Sequence, residues 1–113
     1  MTALAISEAA LQQQVTDLAA ALGWRWLHVR RSIGRRDGKQ AWQTTTNVKG
    51  FPDLFLWHPR HGFAALELKS QRGRATPDQL AVLDQLAAAG ATTLVARPSD
   101  LDAVRRILEG GTA

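Results

Sequence analysis

Cysteine is absent from the 113-residue chain, which excludes disulfides, thiolate zinc sites and cysteine nucleophiles and fits a reducing compartment. Missing too is any run of the roughly 18–20 apolar residues that a membrane span needs. No basic segment followed by an apolar stretch opens the chain, so no secretory leader is expected. The expectation is a soluble, cytoplasmic protein with no membrane partner. Internal repeats are lacking as well. Acidic residues are outnumbered, 10 Asp and Glu against 14 Lys and Arg, for a formal charge of +4. A basic balance favours polyanionic partners through counterion release, yet many basic proteins bind no nucleic acid, so placement says more than the total.

That placement is uneven. Arg30, Arg31, Arg35, Arg36, Lys39 and Lys49 crowd one segment, with Asp37 the single acid among them. Lys69, Arg72 and Arg74 form a second group. With 45% apolar residues the chain has material for one core, and residues 1–113 read as a single domain.

Periodicity predicts a helix over residues 7–22, capped by Ser7, stopped at Gly23, with Leu11, Val15, Leu18, Ala19 and Leu22 on one stripe. Glu8 falls at the N-terminal end of that stripe, with Gln12 beside it. Residues 24–31 read as a strand. Residues 32–50 show no clear period and read as a long, basic, mobile loop. Residues 53–57 and 63–69 read as two strands joined by a hairpin-like turn, His58 to Gly62. Thr76-Pro77-Asp78-Gln79 is a capping box opening the next helix, residues 91–97 form another strand, and Ser99 is expected to cap a last helix to about residue 109. The order α-β-β-β-α-β-α predicts an α/β domain, a mixed four-stranded sheet flanked by helices, because the crossover from residue 63 to 97 requires parallel strands and the strands are apolar on both sides.

Folding the hairpin about Arg60 sets Asp53 opposite Glu67, with Cβ atoms about 4.5–5.5 Å apart. Lys69 emerges on the same face, while Leu54, Leu56, Leu66 and Leu68 occupy the other as core. Two carboxylates so close, in apolar strands, repel each other and are costly to desolvate. A divalent cation with oxygen ligands compensates, helped by Lys69. The alternatives are a buried ion cluster without chemistry, or a hairpin in another register.

Gly50-Phe51-Pro52-Asp53 followed by Glu67-Leu68-Lys69 resembles the PD-(D/E)XK nuclease signature. Together with Glu8 before it and Gln79 after it, the set is similar to the VRR-NUC branch, the virus-type replication-repair nucleases, over residues 7–108. The resemblance implies a restriction-endonuclease-like core and a Mg²⁺- or Mn²⁺-dependent endonuclease. Asp53, Glu67 and the Leu68 carbonyl would hold the ion, and Glu8 would add a ligand or hold a water. Lys69 would position or deprotonate the attacking water, and Gln79 would steady the lysine or the phosphate. It further implies branched or structured DNA from replication, recombination or repair, in a phage or bacterial setting. A cutter of symmetric junctions needs two sites, so a homodimer would follow for that substrate.

Plainer roles stand beside these. Glu8 complements a helix dipole, and Gln79 serves as the capping-box partner of Thr76. His58 and His61 lack a third ligand for zinc. Trp24, Trp26 and Trp57 read as core, leaving Trp42 as the tryptophan available for nucleic acid. Arg30, Arg31, Arg35, Arg36, Lys39, Lys49, Arg72 and Arg74 are the candidate DNA contacts. The competing functions are a DNA-binding module that does not cut and a metal-stabilised interaction domain.

Overall fold

The computed structural model describes residues 6–29, 31–36, 39–44 and 48–111. Helix α1 (Glu8–Ala21) leads into β1 (Arg25–His28), β2 (Arg31–Arg36), β3 (Lys39–Thr44), β4 (Leu54–His58) and β5 (Gly62–Leu68). Helix α2 (Pro77–Ala88), β6 (Thr92–Ala96) and α3 (Leu101–Leu108) complete the order, with a short 3₁₀ turn at Pro98–Asp100 before α3.

The main sheet has four strands in the order β1-β4-β5-β6. β1 and β5 flank β4 antiparallel, whereas β6 runs parallel to β5, reached through the α2 crossover. The sheet is therefore mixed, and its elements follow the predicted α-β-β-β-α-β-α order. One face carries Leu54, Leu56, Leu66 and Leu68, which pack with Leu11, Val15 and Ala19 of α1 and with Val104, Ile107 and Leu108 of α3. α2 lies against β5 and β6 on the opposite face. Its start is set as expected: Thr76 accepts from the Gln79 amide while the Gln79 side chain caps Thr76 in return. No helix among the described residues is long and apolar enough to cross a membrane.

Three expectations change. Within residues 32–50 the structure contains a two-stranded antiparallel ribbon, β2 with β3, from Arg31↔Thr44 to Arg36↔Lys39. Its strands pair with each other and not with the main sheet, and their sequences, RSIGRR and KQAWQT, carry no apolar alternation that would mark them. Asp37-Gly38, a dipeptide favoured in tight hairpin loops, lies between them in sequence. Ser99 makes no cap on α3: its amide donates to Gln71 Oε1 at 3.1 Å and its hydroxyl accepts from Gln71 Nε2 at 3.0 Å. Trp57, expected in the core, is 38% exposed, as are Phe63 at 53% and Leu27 at 55%. They sit on the face that α2 covers only over β5 and β6. Trp24 is buried, with its indole N–H donating to the Leu108 carbonyl at 2.9 Å.

Candidate active site

The β4–β5 register places each strand's residues so that Leu54 faces Leu66 and Phe55 faces Ala65. Asp53 and Glu67 therefore close the end of the hairpin away from its turn, on the α2 side. The Pro52-Asp53 approach is held by backbone contacts: the Val29 amide donates to the Asp53 carbonyl at 2.9 Å. The Leu68 amide donates to Asp53 Oδ2 at 2.8 Å, which turns this carboxylate towards β5.

Glu67 is 1% exposed. Its Oε2 accepts from Gln79 Nε2 at 2.9 Å and lies 3.2 Å from Lys69 Nζ. Its Oε1 is buried with no hydrogen-bond partner among the described residues. Burial pushes the Glu67 carboxyl up to about 7, the charge of Asp53 adds to the rise, and Lys69 offsets part of it. Lys69 itself is largely covered, its side chain 14% exposed.

Gln79 links the site to helix α2. Its Oε1 accepts from the Thr76 amide at 2.8 Å while its Nε2 faces Glu67, so one buried amide caps the helix and holds the acid. The capping role expected of this residue is present, while its amide nitrogen bonds to Glu67 and not to Lys69. Gly50 explains how the Phe51-Pro52-Asp53 segment reaches this helix. Its φ is +86°, and a Cβ there would lie 2.6 Å from the Asp78 carbonyl carbon and 2.8 Å from the Gln79 nitrogen. Only a residue without a side chain lets the two backbones meet. Lys49 pairs with Asp78 at 3.3 Å, with side chains 90% and 53% exposed, a contact worth little in water.

Glu8 is exposed in the first turn of α1, a helix packed on the leucine face. One turn on, Gln12 Nε2 lies 3.3 Å from His28 Nδ1, and His28 pairs with Leu54, the neighbour of Asp53. Among the described residues no group of three or more His, Cys, Asp or Glu side chains is placed to hold a metal. Arg72 and Arg74 line a cleft of about 550 Å³ with Gln71, Gly73 and Arg97. Arg97 was not anticipated from sequence, because its role rests on a contact with a loop 24 residues away. The backbones of Arg31, Arg35, Arg36 and Lys39 lie in the β2–β3 ribbon, and Arg30 lies outside the described residues. His58 and His61 stack on each other at 4.3 Å between ring centroids, with Trp24 beside both, a packing cluster at the hairpin turn.

Comparison with known families places this mixed sheet, with two acids and a lysine at the end of one hairpin: the domain is of nuclease type. The VRR-NUC domain model matches residues 10–100, and the chain belongs to that family. A solved structure described as a VRR_NUC domain is similar, with 23% identity, a TM-score of 0.56, and coverage of 90% of this chain and 92% of the other. At that identity the likeness establishes the fold. Comparison with curated proteins returns no match.

Proposed function

We propose that the protein is a DNA endonuclease that works with Mg²⁺ or Mn²⁺, held by Asp53, Glu67 and the carbonyl of Leu68. The observation that supports this most is Glu67 Oε1, buried without a partner beside a second acid. A hard divalent cation satisfies such an oxygen and removes the repulsion between the two carboxylates. Asp53 is already turned by the Leu68 amide, and a strand residue's N–H and C=O leave on the same edge, so the Leu68 carbonyl suits the same ion. Glu8, at the start of α1, is the further candidate, as a ligand or as the holder of a metal-bound water.

When bound, the ion supplies Lewis-acid chemistry, activating water and neutralising charge that develops on the phosphate. The chain's own groups do the rest. Lys69 Nζ, anchored on Glu67, positions the attacking water, helps to deprotonate it and donates to a phosphate oxygen. The water oxygen bonds to phosphorus as the bond to one strand oxygen breaks. Gln79 fixes Glu67 Oε2 and leaves Oε1, which would be the oxygen that holds the ion. Arg30, Arg31, Arg35, Arg36, Lys39, Lys49, Arg72 and Arg74 supply the positive surface that tracks the DNA backbone. The substrate is branched or structured DNA in the cytoplasm of a bacterium or a phage-infected cell, and a homodimer cuts it where the branch is symmetric.

The test is incubation of the purified protein with linear, flapped and four-way DNA, with Mn²⁺ or with EDTA, beside Glu67→Ala. Metal-dependent cutting that disappears in Glu67→Ala is the expected result, and the preferred DNA shape identifies the substrate. Binding without cutting on every substrate would leave a DNA-binding module.

A further inference from the structure

We propose that the cleft between the β5–α2 loop and Arg97 is a preformed subsite for a phosphate group of the DNA strand, adjoining Lys69; the inference deepens the nuclease reading and rests on it. Gln71, Arg72, Gly73, Arg74 and Arg97 line the cleft, three guanidinium groups with no acid among them. Its volume, about 550 Å³, is in the range that small-molecule sites occupy and so has room for a nucleotide unit.

Loops of this kind are ordinarily mobile, but this one is tied down. Arg97 donates from Nε and Nη2 to the Gly73 carbonyl at 3.1 and 2.8 Å. Gln71 and Ser99 exchange the two hydrogen bonds described above, and the Gly73 amide donates to the Ser70 carbonyl at 3.0 Å. A Cβ on Gly73 would lie 3.2 Å from Lys69 Cβ, so the clasped loop packs directly on the lysine of the active site. Arg72 and Arg74 are exposed and form no ion pair among the described residues. Like charges held together on a fixed loop favour an anion, and guanidinium groups match phosphate in a two-donor fork. Arg97, with two donors committed to Gly73, is the positioning residue.

The experiment follows binding of labelled DNA in EDTA by fluorescence anisotropy across a salt series. Substituting both exposed arginines, Arg72→Ala with Arg74→Ala, should flatten the slope of log K against log salt by about 1.4–1.8, as expected for two lost phosphate contacts. An unchanged slope would overturn the subsite. Arg97→Lys keeps the charge without the fork and should bind as weakly as Arg97→Ala, whereas wild-type binding by Arg97→Lys would overturn the clasp. A closed circular single strand carries only internal phosphodiesters, and a linear one bearing a 5′-phosphate adds a terminal group. Loss on both assigns an internal phosphate and loss on the linear strand alone assigns the end, either of which supports the subsite. Cutting with Mn²⁺ by the same preparation is read separately. Cutting with an unchanged slope sinks the subsite alone, and a flattened slope without cutting sinks the nuclease reading while the subsite stands.

Discussion

At Glu67 the carboxyl sits between a buried amide, a lysine and a second acid, and its protonation follows from that company. Its pKa, about 7 in the folded protein against an ordinary 4.5, means that the folded state keeps a proton the unfolded chain has released between those values. The contribution of Glu67 to metal-free stability is therefore fully present below about pH 4.5 and is lost as pH rises through about 7. The loss is on the order of 3 kcal/mol. Urea denaturation across pH should show this decline in the wild type and a much flatter profile in Glu67→Gln. Gln79 gives a second prediction at this scale. Gln79→Ala removes the side-chain half of the capping box and the donor to Glu67, at a cost of about 2 kcal/mol, readable as a lower urea midpoint with an unchanged slope.

Among the elements, the approach of the Gly50–Asp53 segment to α2 depends on one missing side chain. Gly50→Ala forces a methyl into the Asp78–Gln79 backbone at a left-handed φ, and should cost at least about 1–3 kcal/mol. It should also weaken Mn²⁺ binding, because Asp53 moves with its segment; calorimetry on the variant checks both effects. The β4–β5 hairpin was readable because its leucines alternate strictly and a slip of one residue would expose them all. Continued by one residue, that register sets Asp53 beside Glu67. The capping box of α2 was readable for a similar reason, since Thr76, Pro77 and Gln79 act locally. The β2–β3 ribbon was not, because strands that pair only with each other leave no apolar period. The stripe of α1 was readable too: Leu11, Val15 and Ala19 are its buried side and meet the leucine face of the sheet. Arg97 was equally silent, its partner being a backbone carbonyl brought close only by the crossover.

For the molecule as a whole, charge and fold divide along the chain. The four-stranded sheet and its helices carry the core, while the ribbon of residues 31–44 brings Arg31, Arg35, Arg36 and Lys39 without joining that sheet. Replacing residues 31–44 with a short Gly/Ser linker should leave cooperative unfolding of the remaining domain within about 1 kcal/mol of wild type, and should flatten the salt dependence of DNA binding. Both are measurable on one preparation. The carboxylate pair is tested most directly by titrating Mn²⁺ into the wild type, Asp53→Asn and Glu67→Gln by calorimetry at pH 6.5, in buffers of different ionisation enthalpy. The account predicts binding with proton release in the wild type, because the ion displaces the proton of Glu67, and loss of that binding in both variants. Equal binding by all three proteins, or none by the wild type, would contradict it.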